Sequence, residues 1–269
     1  MPGTLFFGCG NMGGAMLRRW IETGMDAQSV TVVDPVAQKL AEGVRQLSEI
    51  PGENASPDLL ILAVKPQLLD QVVPLIAPLI GSNTVVVSIL AGIKLSSLRE
   101  CFSGAHAIVR AMPNMPVALG RGVVALVSDD RGAAEAAGIT DLMARLGLCE
   151  WMESESLFDG VTALSGSGPA FVYRFIDAMA ASGAALGLPP EQALRMALAT
   201  VDGAAGAALV STDTPGELAR KVASPGGTTE RGLAVLDEDG ALATLVRNTL
   251  RAAAERSKEM AALSGGSTR

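Results

Sequence analysis

Two glycine-bearing stretches, one at each end of the 269-residue chain, carry residue types suited to holding anions. Near the C-terminus, Ser224-Pro225-Gly226-Gly227-Thr228-Thr229 runs straight into a helical pattern over about Thr229 to Leu236. Adjacent glycines let the main chain approach a ligand closely, and the first N–H groups of the helix beyond them point outward, which suits a small carboxylate. The same string also reads as ordinary punctuation before a helix. Near the N-terminus, Thr4-Leu5-Phe6-Phe7 reads as a short buried strand that runs into Gly8-Cys9-Gly10-Asn11-Met12-Gly13 and an apolar, helix-compatible stretch through Trp20. In that context Gly8 permits a tight turn, Gly10 lets the backbone approach a pyrophosphate, and Gly13 lets helix and strand pack closely. A second strand, Val30 to Val33, ends at Asp34, 21 residues after Gly13, where a carboxylate can accept two ribose hydroxyls. Read more plainly, Asp34 is the polar end of a strand before Pro35.

Composition narrows the partners. A formal charge of -7 leaves no clustered Lys and Arg for a nucleic-acid backbone and directs attention to small-molecule ligands. Three cysteines, Cys9, Cys101 and Cys149, are odd in number and lack a CxxC pair, which fits a reducing cytoplasm. With one histidine, His106, no metal site is expected. The N-terminus lacks a signal-peptide pattern, because Gly3, Gly8 and Gly10 interrupt its apolar run, and a cytoplasmic location is expected. The charge-free stretch Gln71 to Ile93 is cut by Pro74, Pro78, Gly81, Ser82 and Asn83 into helix, turn and strand, so no membrane span is expected.

The elements that must position these motifs alternate. After Asp34 the pattern predicts a helix over 36–47, a buried strand over 59–64, a helix over 67–80, a strand over 84–88, a short helix over 95–101 and a strand over 107–110. A strand over 122–127, a helix over 131–146 and a strand over 148–152 follow. Strands that are apolar throughout and alternate with helices predict an α/β, doubly wound Rossmann-type sheet over residues 1–153. Residues 154–269 read as an all-α domain, with helices over 158–163, 170–186, 190–211, 214–221, 229–237 and 240–260 and an uninformative tail after Leu263. The segments 178–186 and 204–208 are small and apolar nearly all round, so they need cover on more than one face, either from each other or from a partner subunit, which is favoured.

The loops at the carboxyl ends of the first-half strands read Ala63-Val64-Lys65-Pro66, then Ala91-Gly92, then Met112-Pro113-Asn114-Met115-Pro116. The helical half adds Leu164-Ser165-Gly166-Ser167-Gly168-Pro169-Ala170. Together with Ser224 to Thr229, Gly232 and Leu233, this ordered set resembles the 1-pyrroline-5-carboxylate reductases, the enzymes of the last step of proline synthesis. The resemblance covers nearly the whole chain. It implies a Rossmann domain, a helical domain that dimerises by intertwining, an active site between the two, and in some members rings of dimers. Carried over by position, it implies that Gly8, Cys9, Gly10, Asn11, Met12, Gly13, Ala63, Val64, Lys65, Pro66, Ala91 and Asn114 line NADPH or NADH, to which the residues themselves add Asp34 from its place at the end of the second strand. Ser224, Gly226, Gly227 and Thr228 would hold the substrate carboxylate, and Thr229 would offer its hydroxyl to the ring nitrogen as the catalytic residue. Glu155 matches an acidic position near the substrate in some members, although Glu153 to Ser156 also reads as a solvated connector.

Reduction of a cyclic imine is chiefly a positioning problem, with hydride delivered from the nicotinamide to the imine carbon, so the chain needs no nucleophile or catalytic histidine. The imine proton can come from water or arrive with a protonated substrate. Lys65, before Pro66, fits a main-chain role better than that of a general acid. Asp34 repels a 2'-phosphate and leans the chain toward NADH, whereas the resemblance implies common acceptance of NADPH; only Lys39 offers a nearby cation. Lys221 stands where some relatives carry an amide, and no role passes to it. The 3-hydroxy acid dehydrogenases share the architecture but need a lysine after Gly168, where this chain has Pro169-Ala170-Phe171-Val172-Tyr173-Arg174. A non-catalytic nucleotide sensor would have no use for the carboxylate turn.

Overall fold

The computed structural model of the chain describes residues 3–36, 40–49 and 56–265. The first elements are β1 (Thr4–Phe7), α1 (Asn11–Glu22), β2 (Val30–Val33), β3 (Arg45–Leu47) and β4 (Leu59–Leu62). There follow α2 (Leu69–Ile76), β5 (Val85–Ser88), α3 (Leu95–Cys101), β6 (Ala107–Pro113), β7 (Gly122–Ser128), α4 (Arg131–Ala136), α5 (Ile139–Ala144) and β8 (Gly147–Trp151). The eight strands form one sheet in the order β3-β2-β1-β4-β5-β6-β7-β8, parallel except for the β6–β7 pair. Successive residues of a strand face opposite sides of a sheet, and here both sides are covered. Phe6 and Ile61 enter one core with Met16, Leu17 and Trp20 of α1. Leu5, Phe7, Leu60 and Leu62 enter the other with Leu98 and Phe102. Trp20 is fully buried and donates its indole N–H to the Leu142 carbonyl at 2.7 Å, so this large ring leaves no polar group unpaired.

Three expectations change in detail. The helix predicted over 36–47 is not formed where it can be followed. Residues 41–43 turn, with Gly43 at φ 91°, and β3 pairs with β2 as the sheet edge. Residues 37–39, including Lys39, lie outside the described residues. The helix predicted over 131–146 is two helices, because Gly138 adopts φ 76° between α4 and α5. The helix predicted over 67–80 narrows to α2, which carries Pro74 and is flanked by 3₁₀ turns beginning at or next to Pro66 and Pro78.

Beyond the sheet come α6 (Phe158–Val161), a π-helical turn over Thr162–Gly166, α7 (Gly168–Ala185), α8 (Pro190–Val210), α9 (Pro215–Val222), α10 (Thr228–Asp237) and α11 (Ala241–Gly265). The chain divides into two compact units, Met1–Ser167 with Ala253–Arg269, and Gly168–Ala252. In the first unit the end of α11 is tied to α6 by a bond between the Ser257 hydroxyl and Asp159 at 2.7 Å. In the second, α7 turns back into α8 through Gly187 at φ 101°, and a Cβ on Gly183 would sit 3.4 Å from that of Ala193, so small residues let the two helices approach. Within that unit, α8 buries only Ala193 and Ala197. Leu209 is 86% and Val210 87% exposed. An apolar groove of about 410 Å³ lies between Phe171, Phe175 and Ala178 of α7 and Leu242, Leu245 and Val246 of α11.

Candidate active site

In the sheet, β1 lies between β2 and β4, so the chain winds one way from β1 to β2 and the other way from β4 onward. The crevice of such a sheet opens at the carboxyl ends of the two strands that flank this switch, β1 and β4. Gly8 follows β1 directly and donates its N–H to the Val33 carbonyl at 2.9 Å. At φ 83°, with a Cβ position 2.8 Å from Val64 Cγ1 and 2.9 Å from Ala63 backbone, this position admits only glycine. A Cβ on Gly13 would stand 3.1 Å from that of Ala63, so its absence lets α1 lie on the end of β4. Gly10 differs: a Cβ there would meet no atom within 4 Å. It caps α1 without a side-chain bond, and the first intrahelical bond is Gly14 N–H to Gly10 carbonyl at 2.8 Å. The amides of Asn11, Met12 and Gly13 therefore open outward, an arrangement that fits a pyrophosphate approaching over Gly10.

Asp34 stands at the end of β2. Its Oδ2 accepts the Cys9 N–H at 2.7 Å and its Oδ1 accepts the Val36 N–H at 2.9 Å. The carboxylate thus ties the glycine turn to β2 while each oxygen retains a lone pair for a ribose hydroxyl. Burial, and next the charge of Asp34, push the Cys9 thiol up to about 11, so this cysteine is inert packing. Lys65 is exposed, and its carbonyl accepts the Leu68 N–H at 2.9 Å, which starts the turn after β4. Ala91 is exposed beside Gly92, which has φ 78°. Asn114, 7% exposed, follows β6; its Oδ1 accepts the Val123 N–H at 2.8 Å and its Nδ2 donates to the Ser165 carbonyl at 2.9 Å. Glu155 Oε1 accepts both the Leu95 N–H, at 2.8 Å, and Arg110 Nη1, at 2.9 Å. No group of three His, Cys, Asp or Glu residues suited to a metal occurs among the described residues.

The second compact unit carries the other motif. Gly226 at φ 71° and a Gly227 N–H bond to the Ser224 carbonyl at 2.9 Å make a tight turn with proline at its second position. A Cβ on Gly227 would lie 2.9 Å from the Ser224 carbonyl oxygen, so this glycine keeps the turn closed. Gly227 then caps α10 without a side-chain bond, and Arg231 N–H reaches its carbonyl at 3.3 Å. The amides of Thr228, Thr229 and Glu230 are thereby left at the open helix start, with Thr229 in its first turn. The Gly226 amide is taken up by Glu230 Oε2 at 2.7 Å, so it braces the turn from within. Lys221 is paired with Asp213.

Sequence reasoning missed Glu230 and Arg110. Glu230 had a signal: an acid in the first turn of a helix, four residues past a glycine, can reach back to the turn amide. Arg110 had one too, as the lone cation in the apolar strand Ala107 to Met112, since a buried charge requires a partner.

Comparison with known proteins gives the family. Residues 155–260 match the family described as pyrroline-5-carboxylate reductase dimerisation, and residues 4–92 match that described as NADP oxidoreductase, coenzyme F420-dependent. A pyrroline-5-carboxylate reductase of Pseudomonas aeruginosa is 36% identical over 266 residues, covering 97% of each chain. One of Pisum sativum is 39% identical over 219 residues, 81% of this chain and 79% of that one. Among solved structures, a pyrroline-5-carboxylate reductase from Coxiella burnetii superposes with a TM-score of 0.88 at 31% identity over 96% of this chain and 98% of that one. A pyrroline carboxylate reductase from Plasmodium falciparum, with NADP bound, does so with a TM-score of 0.81 at 26% identity over 97% and 98%. With a glycine turn shaped for a dinucleotide and relatives alike from end to end, the chain belongs to the pyrroline-5-carboxylate reductase family.

Proposed function

We infer that this protein is an NAD(P)H-dependent oxidoreductase that reduces 1-pyrroline-5-carboxylate to L-proline, the last step of proline biosynthesis. The observation that carries the reading is the shape of the Gly8–Gly13 turn at the sheet's switch point, where each glycine has a distinct steric reason and the space over Gly10 is clear. A bound reduced nicotinamide supplies the hydride. The chain's own work is to hold and orient. Gly8 to Gly13 receive the pyrophosphate, with Cys9, Asn11 and Met12 contributing main chain, and Asp34 the adenosine ribose. Ala63, Val64, Lys65, Pro66, Ala91 and Asn114 line the nicotinamide end.

For the substrate, Ser224, Gly226, Gly227, Thr228 and Thr229 form the carboxylate anchor. The outward amides at the start of α10 face an anion with the favourable end of the helix dipole. The Thr229 hydroxyl orients the ring nitrogen, and Glu155 acts from its bond to Arg110. Residues 1–153 serve the dinucleotide and residues 154–269 serve the substrate and self-association. The exposed apolar length of α8 and the groove between α7 and α11 are covered by a second copy, which fits the dimerisation match over residues 155–260. α8 is long and apolar enough to cross a membrane by length and composition, and a dimer accounts for that face without lipid. Dimers assemble further into a ring, and the protein works in the cytoplasm, where free thiols such as Cys9 persist. Turnover of 1-pyrroline-5-carboxylate with NADH or NADPH, by the wild type and by Thr229→Val, tests the reading. Equal turnover by both proteins removes Thr229 from the mechanism, and none by either overturns the assignment.

A further inference from the structure

Ser165 lies four residues before Pro169, so its carbonyl cannot receive the usual helical bond: proline has no N–H to give. The backbone answers with a π-helical turn over Thr162–Gly166, closed by the Ser167 N–H on the Thr162 carbonyl at 2.8 Å. The Ser165 carbonyl takes its donor from elsewhere, from Asn114 Nδ2 at 2.9 Å, while the other end of the same amide accepts the Val123 N–H at 2.8 Å. One residue on, a Cβ at Gly166 would sit 2.9 Å from Met112 Cε, so the turn lies directly on the end of β6. The start of the same segment is fastened too. Glu155 Oε1 accepts the first N–H of α3, from Leu95, and an N–H of Arg110, whose guanidinium carbon stands 4.6 Å from the centre of the Phe158 ring. Arg110 is only 11% exposed, so this cation depends on Glu155 and Phe158.

We propose that Asn114, Glu155 and Arg110 are positioning residues that fasten segment 155–166 to the start of α3 and the carboxyl end of β6 and so fix the loop Ala91–Lys94 and the strand end Met112–Asn114, which shape the nicotinamide end of the cleft. This rests on the placement of the nicotinamide given above. The adenosine half, held by Gly8–Gly13 and Asp34, lies outside the fastening. Loosening it disturbs hydride transfer and spares adenosine binding, because a small displacement of the reacting atoms costs rate steeply, on the order of a hundredfold for 1 Å.

The test uses the full-length protein and three variants. Glu155→Ala removes the acceptor, Glu155→Gln keeps an oxygen at that place without the charge, and Asn114→Asp replaces the Nδ2 donor with an acceptor facing the Ser165 carbonyl. Expected are a fall in kcat of about tenfold or more for Glu155→Ala and Asn114→Asp, a larger isotope effect with 4-deuterated cofactor, and dissociation constants for 5'-ADP and 2',5'-ADP within about twofold of wild type. Glu155→Gln recovers most of the rate. Unchanged kcat in both Glu155→Ala and Asn114→Asp, parallel loss of ADP binding and turnover, or a Glu155→Gln protein as slow as Glu155→Ala overturns the proposal. A wild-type protein that binds neither ADP probe, or that turns over no imine, overturns the underlying placement instead.

Discussion

Replacing Gly10 by alanine separates ligand binding from folding. The position has φ -67° and ψ -160°, a backbone open to any residue, and a Cβ there meets nothing within 4 Å. As an N-cap, alanine is worse than glycine by under about 1 kcal/mol, so Tm should fall by no more than roughly 2–4 °C. The added methyl, however, occupies the space through which a pyrophosphate reaches the amides of Asn11, Met12 and Gly13. Each charge-assisted bond contributes about 1.5–3 kcal/mol, and losing one to two, partly offset by relaxation, comes to about 2–3 kcal/mol, or roughly 30–150-fold in Kd. Gly13→Ala reverses the pattern. Its Cβ lands 3.1 Å from that of Ala63, an overpacking of about 1–3 kcal/mol that lowers Tm. Calorimetry with NADPH and thermal melts on both variants provide the assay. Normal NADPH affinity in Gly10→Ala, or a loss of Tm matching that of Gly13→Ala, refutes the cradle.

Asp34→Ser should raise the NADPH to NADH ratio of kcat/KM about tenfold, since a carboxylate about 4 Å from a phosphate costs up to about 4 kcal/mol near a protein surface before salt screening. It should also lower Tm, because Cys9 and Val36 lose their acceptor; an unchanged ratio places cofactor choice elsewhere. Thr229→Val should leave NADPH affinity intact and reduce kcat about tenfold, the value of one hydrogen bond. Glu230→Ala should raise KM for the imine several-fold by freeing the Gly226 amide, with Glu230→Gln near wild type; equal KM values in all three proteins would deny Glu230 its bracing role. Cys9 and Cys149 are both pushed up from 9.0 to about 11, chiefly by burial. Above pH 9 the unfolded chain loses these protons first, so the thiols' contribution to stability should be level below that and fall as pH rises toward 11, by up to about 3 kcal/mol for the buried Cys9 and by less for Cys149, whose partial exposure lets solvent screen it. Denaturant melts across that window check it, and a flat profile contradicts it.

Much of the sheet was legible in the residues because its central strands are apolar almost throughout. Strands such as Leu59–Leu62 are apolar on both faces, and α3 lies where its pattern put it, over Leu95–Cys101. What failed is short and irregular. The stretch beyond Asp34 is composed like a helix, yet pairing with β2 and the left-handed Gly43 make Arg45–Leu47 an edge strand. The π-turn before Pro169 is invisible to a search for 3.6-residue periodicity, although the missing proline N–H announces an orphan carbonyl. At the site, the glycines were readable from spacing alone. The bonds of Asp34 to Cys9, Asn114 to Ser165 and Glu155 to Leu95 were not, because they join residues 25 to 60 apart in sequence, and only the assembled sheet brings them together.

The proposed activity is hydride transfer from a reduced nicotinamide to 1-pyrroline-5-carboxylate, with the Thr229 hydroxyl orienting the ring nitrogen. Purified protein mixed with NADPH or NADH and 1-pyrroline-5-carboxylate tests it most directly, with loss of reduced-nicotinamide absorbance followed alongside proline formed. Equimolar oxidation and proline, slowed in Thr229→Val, is the expected result. Tight cofactor binding without any imine-dependent oxidation would contradict it.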